Sequence, residues 1–260
     1  AVAVWDVHRS EPLHNFTWGP DPYTFVRFSP VEAPLMASLC VDRSVCLYDL
    51  RGGSALQKVV MQMRPNCLAW NPREAMNFTV GSEDTHLYTF DLRKLSGAAT
   101  VHKDHVAAVL DVDYSPTGRE FATASYDRTT RIFPFNSGRS REVYHTKRMQ
   151  RLFACQFSKD GRYIFTGSDD TNIRVWKAEA SDPVKPLHRA AREKIKYNKA
   201  LKEKFKHLPE LRRIDRHRHL PKVIKKITTK KREMKEAAQR RESNALAHSG
   251  GGGKFASQAE

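Results

Sequence analysis

Short runs that alternate apolar and polar residues fill most of positions 1–182. One run covers Phe121–Ser125, a polar turn follows at Tyr126–Thr129, and a second run covers Thr130–Phe133. The same order of run, turn and run recurs over Tyr163–Trp176. Turn-forming residues here bound β-branched and aromatic runs that lack helical spacing, so the pattern predicts paired β-strands.

The strand pattern repeats along the chain. Aromatic residues that close a strand occur in steps of 42, 44 and 43 residues, at Phe28, Trp70, Tyr114 and Phe157. A second aromatic series has steps of 42 or 43 residues, at Trp5, Tyr48, Phe90, Phe133 and Trp176. An aspartate lies six residues before each of the last four, at Asp42, Asp84, Asp127 and Asp170. A repeat of this length built from short strands is typical of a β-propeller blade, and we expect four full repeats and the end of another.

The hydrophobic period changes after Leu187. Apolar and small residues then recur every three or four positions, at Ala191, Ile195, Asn198, Leu201 and Phe205, which predicts an amphipathic helix ending at Pro209. A second helix is predicted from about residue 221 to about residue 247. The expected domains are therefore blades over 1–182, a basic helical tail over 183–249 and a flexible end over 250–260.

Charge separates the same two regions. The chain has a net charge of +16, but residues 1–182 hold 22 Lys and Arg against 21 Asp and Glu, whereas residues 183–260 hold 23 against 8. A near-neutral body with a strongly basic tail indicates a polyanionic partner for the tail.

Other features narrow the class of protein. The four cysteines, Cys40, Cys46, Cys67 and Cys155, show no CxxC spacing, which argues against a zinc site or a disulfide scaffold and favours a reducing compartment. No apolar run is long enough to span a membrane, and no signal peptide is visible. The first residue is Ala, so we expect a fragment. An open blade array leaves raw sheet edges, so roughly three further blades, about 130 residues, are expected upstream.

The body resembles WD-repeat propellers, with Trp5-Asp6 the literal dipeptide and Tyr48-Asp49 and Phe90-Asp91 its variants. The resemblance implies a seven-bladed all-β propeller whose blades are stabilised by a His, Ser, Asp and Trp tetrad. The positions that match this tetrad are His105, Ser125 and Asp127, with Phe133 in place of Trp, and then Ser168, Asp170 and Trp176, with Arg148 near the histidine position.

The tail resembles a Sof-type C-terminal domain. The resemblance is carried by Arg216–Lys222, by Met234–Ala237, by Asn244–Ser249 and by the upstream stretch Ser140–Met149. In one eukaryotic family this domain follows a WD-repeat propeller, in a component of the small-subunit processome. The resemblance implies a nucleolar particle that contains pre-ribosomal RNA, a box C/D small nucleolar RNA and many proteins.

The tail is predicted to bind folded RNA through phosphates rather than through bases, because cations are dense and aromatic residues scarce. The candidate RNA-binding residues are Arg212, Arg213, Arg216, His217, Arg218, His219, Lys222, Lys225, Lys226, Lys230, Lys231 and Arg232. A solvated helix face is the simpler reading of a charge run, but few acidic residues are placed to pair with these cations.

Two Asp-x-Arg boxes give a second reading. Asp49 and Arg51, and likewise Asp91 and Arg93, follow the aromatic that ends a predicted strand. They resemble the box by which some WD-repeat proteins dock on a cullin–RING ubiquitin ligase adaptor. The alternative is that these side chains only cap strand ends and pair on the surface.

Catalysis and metal binding are not expected. His207, His217 and His219 have no Cys or carboxylate cluster to complete a ligand set. Asp104, Asp111 and Asp113 with His102 and His105 could be taken for a catalytic group, but the repeat assigns them to strands and scaffold, and no P-loop or nucleophile motif is present.

The resemblance therefore implies a non-enzymatic scaffold for ribosome biogenesis, specifically pre-rRNA processing and 18S rRNA maturation in the nucleolus. Its expected partners are pre-ribosomal RNA, a box C/D small nucleolar RNA and other processome proteins, with no cofactor, membrane or small-molecule substrate. The first alternative is a substrate receptor of a nuclear cullin–RING ligase. The second is a general peptide-binding propeller whose tail serves only nuclear import and retention.

Overall fold

A computed structural model describes residues 1–183 and 186–248. The predicted flexible end, 250–260, lies outside the described residues. The chain divides into two compact units, which meet in sequence between His219 and Leu220.

The first unit is built from antiparallel sheets in which sequence neighbours pair. The first sheet pairs β1 (Val2–Trp5) with β2 (Pro12–Phe16). Three four-stranded sheets follow, formed by β3 (Tyr23–Phe28), β4 (Leu35–Cys40), β5 (Ser44–Asp49) and β6 (Ala55–Val60); by β7 (Pro65–Trp70), β8 (Asn77–Ser82), β9 (Leu87–Asp91) and β10 (Thr100–His102); and by β11 (Val109–Tyr114), β12 (Glu120–Ser125), β13 (Thr130–Pro134) and β14 (Glu142–Tyr144). The last sheet pairs β15 (Leu152–Phe157), β16 (Tyr163–Ser168) and β17 (Ile173–Lys177). The prediction of repeated antiparallel strand units is confirmed.

The hydrophobic core lies between consecutive sheets. Leu39 and Val45 of one sheet pack in a cluster with Leu68 and Phe78 of the next. Equivalent clusters join the β7–β10 sheet to the β11–β14 sheet, and that sheet to β15–β17. Because an inner sheet lies between two neighbours, strands such as β4, β8 and β12 are buried on both faces, whereas an edge strand such as β3 alternates between more and less exposed residues.

One turn recurs in every repeat. The residue after each aspartate of the repeat has a positive φ, namely Arg43 (70°), Thr85 (77°), Arg128 (66°) and Thr171 (63°). In three repeats the preceding aspartate accepts the backbone N–H two residues ahead at 2.9 Å, as Asp127 does from Thr129. Such a side-chain bond holds the tight turn in place of a glycine, and it accounts for the period of the aspartates.

Within residues 186–248 the tail contains three helices where two were predicted. Helix α1 covers Arg189–Lys204, α2 covers Pro209–Arg216, and α3 covers Lys222–His248. The segment between the two predicted helices therefore contains a helix of its own, α2. Helix α1 ends at Lys204 and not at Pro209, where its end was predicted. Pro209 instead occupies the first turn of α2, where its missing N–H costs no hydrogen bond. Helix α3 belongs to the second unit.

Candidate functional site

The blade scaffold is most complete around His105 and Asp127. His105 Nδ1 lies 2.8 Å from Asp127 Oδ2, and His105 Nε2 lies 2.7 Å from Thr123 Oγ1. Burial alone would raise the pKa of Asp127, but His105 and the hydroxyl of Thr129 lower it to about 2. Burial lowers the pKa of His105, so the neutral ring donates its Nδ1–H to the carboxylate at pH 7. The pair locks the loop before β11 onto the β12–β13 turn.

Ser125 belongs to the same network, although it does not contact His105 in the way a linear tetrad implies. Its hydroxyl donates to the carbonyl of Ala108 at 2.9 Å and accepts the N–H of Asp127 at 3.2 Å. Thr123, which the sequence analysis missed, takes the place next to the imidazole. Thr123 lies two residues before Ser125 on the strand, and this spacing was the only signal that could have found it.

The last sheet arranges its matching residues differently. Trp176 Nε1 donates to Thr166 Oγ1 at 2.9 Å, while the Asp170 carboxylate is held by the guanidinium of Arg174. Ser168 accepts the N–H of Gln150 at 3.2 Å. Arg148 is exposed, and the buried neighbour is Met149, so no histidine equivalent joins this group.

The acidic and histidine side chains near β11 are not assembled into one group. His102 is fully buried, and its Nδ1 lies 2.6 Å from the carbonyl oxygen of Ser137. Asp111 and Asp113 instead accept the backbone N–H groups of Cys155 and Phe157, each at 2.8 Å. These carboxylates join the edge strands β11 and β15 of adjacent sheets.

The two Asp-x-Arg boxes lie at equivalent places, where β5 and β9 end. Asp49 accepts the N–H of Arg51 at 2.9 Å, and Arg51 forms an ion pair with Glu32 at 3.2 Å. Arg93 makes two hydrogen bonds to Asp91, at 3.0 and 2.8 Å, which lower the pKa of Asp91. The side chains of Arg51 and Arg93 are 67% and 73% exposed. The backbone of each arginine is therefore fixed by the aspartate, while its side chain is reachable from solvent.

The predicted RNA-binding residues separate into three groups. Arg212, Arg213 and Arg216 are exposed on α2, and His217 follows it directly. The lysines and Arg232 lie exposed on α3, in the second unit. Arg218 and His219 lie between these two groups, in the connection that follows α2.

Arg218 and His219 bind the first unit's own sheet. Arg218 Nε–H donates to the carbonyl of Arg141 at 2.7 Å, and His219 stacks on His145 with ring centroids 5.3 Å apart. His145 Nε2 also lies 3.0 Å from the carbonyl oxygen of His219. The stretch 140–149 therefore meets the part of the stretch 216–222 that ends at His219, and both lie within the first unit.

Arg141 is the centre of this contact, and sequence reasoning did not single it out. Its guanidinium makes two bonds of 2.8 Å to Glu120 and a third, of 2.9 Å, to the carbonyl of Ala178. Tyr144 extends the junction by stacking on Trp176 at 5.1 Å. The segment from Arg141 to His145, which contains β14, thus links its own sheet to the last sheet and to Arg218 and His219 of the tail.

The described residues contain neither a metal-binding cluster nor a membrane-spanning helix. Across 1–183 and 186–248, no group of three His, Cys, Asp or Glu side chains could hold a metal ion. None of the helices in that part of the chain is both long and apolar enough to cross a membrane.

Family models match both regions. A Sof1-like domain matches residues 178–260, and the WD domain, G-beta repeat, matches residues 98–133 and 143–177.

Relatives extend the match over nearly all of the chain. The DDB1- and CUL4-associated factor 13 of Danio rerio is 53% identical over 95% of this chain and 56% of its own length, and that of Homo sapiens is 50% identical over the same shares. Protein SOF1 of Saccharomyces cerevisiae is 46% identical over 94% of this chain and 50% of its own length. The chain thus spans about half the length of the relatives it matches. The chain therefore carries WD40 repeats and a Sof1-like domain, and its homologues include proteins named SOF1 and DDB1- and CUL4-associated factor 13.

Proposed function

We propose that this chain is the blade-and-tail part of a non-enzymatic assembly factor of the small ribosomal subunit. The observation that carries the proposal is the Sof1-like domain over residues 178–260, in a chain 46% identical to protein SOF1. The factor acts in the nucleus, in the nucleolar small-subunit processome, where it supports pre-rRNA processing and 18S rRNA maturation. Its partners are pre-ribosomal RNA, a box C/D small nucleolar RNA and other processome proteins.

The sheets serve as a rigid platform for proteins. Continuous hydrophobic clusters between consecutive sheets fix them as one body, and a preorganised surface loses little entropy on binding. The last sheet leaves Phe153, Phe165, Ile173 and Val175 between 41% and 77% exposed. We take this face as the seat of a further blade, so that residues 1–182 form part of a seven-bladed propeller closed by the rest of the full-length protein.

The basic tail, residues 183–249, supplies the contact with RNA. Exposed cations on α2 and α3 neutralise phosphates and release counterions, which is the dominant source of sequence-independent affinity. The described aromatic residues of the tail are Tyr197 and Phe205, so recognition rests on phosphates and shape rather than on base stacking.

Replacement of the full-length protein in cells by one lacking residues 183–260 tests this function. The proposal predicts that the shortened protein leaves the fast-sedimenting precursor particle on a sucrose gradient and that 18S rRNA precursors accumulate. Normal sedimentation and normal 18S rRNA would contradict it.

The second candidate is a substrate receptor of a cullin–RING ubiquitin ligase. It is favoured by the boxes at Asp49–Arg51 and Asp91–Arg93, which end equivalent strands of adjacent sheets and keep their arginines exposed. The relatives named DDB1- and CUL4-associated factor 13 point the same way. Substitution of Arg51 and Arg93 by Glu should abolish co-purification of the ligase adaptor, and unchanged co-purification would remove this candidate.

A further inference from the structure

Three arginines and two histidines line one cavity on α2. The cavity has a volume of about 440 Å³ and is bounded by His207, Pro209, Arg212, Arg213, Arg216 and His217. None of these lining residues carries a carboxylate. The cavity lies entirely within the first unit, between the residues that flank α2 at its two ends.

The arginines of this cavity keep their charge available. Within the described residues, Arg212, Arg213 and Arg216 form no ion pair; Arg212 only donates its Nε–H to the carbonyl of Lys206 at 3.2 Å. Cations elsewhere in the tail are partly neutralised, as in the pairs Arg189–Glu193 at 3.0 Å and Arg232–Glu236 at 3.6 Å. Unneutralised guanidinium groups in one concavity favour an anion with several acceptor oxygens.

Helix stability alone does not explain this arrangement. Arg213 and Arg216 lie in the last turn of α2, where cations are favoured by the helix dipole. His217, at the C-cap, shares that favourable position, but His207 lies before the N-terminus of α2 and Arg212 lies outside its last turn, so the dipole does not account for these two. Their convergence on the same cavity calls for a ligand rather than a cap.

The backbone on either side of the cavity is restrained. Pro209 restricts the backbone where α2 begins, and the bond from Arg218 to Arg141 anchors the chain two residues after α2 ends. A site held at both ends loses less entropy on binding than a free basic tail would.

We infer that the α2 cavity is the principal phosphate-binding site of the tail and receives a backbone phosphate of folded RNA. This inference rests on the proposed RNA-binding function and assigns it to particular residues. RNA is favoured over a phosphorylated peptide because the tail carries 23 Lys and Arg against 8 Asp and Glu, far more than one phosphate group requires.

The test measures binding of a structured RNA hairpin to the full-length protein at several salt concentrations. The α2 variant changes Arg212, Arg213 and Arg216 to Gln. The matched control changes Arg192, Lys194 and Lys196 of α1 to Gln, which removes the same charge from residues that do not line the cavity. We expect the α2 variant to lose at least about 30-fold in affinity and to reduce the salt slope by about 2, and the control to lose less than about threefold.

A third variant separates charge from geometry. With Arg212, Arg213 and Arg216 changed to Lys, the salt slope should return while most of the affinity stays lost, because Lys lacks the planar fork of donors. Circular dichroism confirms that each variant retains its helices.

Each other outcome has a definite meaning. Equal losses in the α2 variant and the α1 control would overturn the cavity assignment and leave the RNA function standing. Absence of RNA binding by the unaltered protein would overturn the proposed function itself. Competition by a singly phosphorylated peptide at lower concentration than RNA would overturn RNA as the ligand of this cavity.

Discussion

Arg218 and Arg141 lie 77 residues apart in the sequence, yet the Nε–H of Arg218 donates to the carbonyl oxygen of Arg141 at 2.7 Å. Arg141 in turn holds Glu120 and the carbonyl of Ala178. Arg141, which joins the last two sheets, therefore also binds the end of the tail segment that belongs to the first unit, residues 186–219.

Loss of the Arg218 side chain should release this fastening. A hydrogen bond from a charged donor contributes about 1.5–3 kcal/mol, so Arg218→Ala should speed amide exchange over residues 205–219 by about tenfold or more. Hydrogen exchange with mass spectrometry measures this directly. Arg213→Ala, on the exposed face of α2, is the matched control and should leave exchange unchanged; equal exchange in the two variants would show that Arg218 fastens nothing.

The buried pair of His105 and Asp127 should dominate the stability of the β11–β14 sheet. Asp127→Ala leaves the donors of His105 and Thr129 without a partner, and we expect a loss of about 3 kcal/mol in the free energy of unfolding. Asp170→Ala is the comparison at the matching position of the next repeat. Its carboxylate pairs with Arg174 near solvent, so the loss should be clearly smaller in urea unfolding.

Asp111 should stabilise the protein more at low pH than at neutral pH, which is opposite to the effect of a carboxylate held in an ion pair. Burial raises the pKa of Asp111 from its usual 3.8 to about 6, against the opposing backbone hydrogen bonds. The folded state therefore holds this proton more tightly than the unfolded state, so its contribution is complete below about pH 4 and is lost as the pH rises through about 6. Asp111→Asn should remove this component; parallel stability curves for the two proteins between these pH values would contradict the assignment.

Thr85 is a place where the protein can be made more stable. A β-branched residue at a φ of 77° is strained, so Thr85→Gly should raise the free energy of unfolding by about 1 kcal/mol. Thr117→Gly provides the contrast and should lower the free energy of unfolding, because Thr117 lies in an exposed turn without positive φ, and glycine there adds unfolded-state entropy and removes the hydrogen bond of 3.1 Å to Ser115 Oγ. If thermal unfolding changed alike in both, strain at Thr85 would not be the cause.

The sequence predicted the strands because local rules determine them. The aspartate turns reflect contacts within one repeat, and the predicted turn at Tyr126–Thr129 lies between β12 and β13. The predicted helix end at Pro209 is wrong, because a proline that follows one helix can equally begin the next.

The junction around Arg141 was beyond reach for a different reason. Its partners Glu120, Ala178 and Arg218 lie 21, 37 and 77 residues away, and no periodicity encodes such distances. Arg218 and His219 contact Arg141 and His145, which no sequence pattern indicated, and their binding of RNA stays a prediction. That the α3 cations, Lys222 to Arg232, bind RNA stays a prediction.

The most direct test of the central claim is ultraviolet crosslinking in living cells followed by sequencing of the attached RNA. It compares the full-length protein with the variant that changes Arg212, Arg213 and Arg216 to Gln and with the protein lacking residues 183–260. The account predicts crosslinks concentrated on pre-ribosomal RNA or its box C/D small nucleolar RNA, strongly reduced in the arginine variant and absent without the tail. Crosslinks at background level in the full-length protein, or unchanged after removal of the tail, would contradict it.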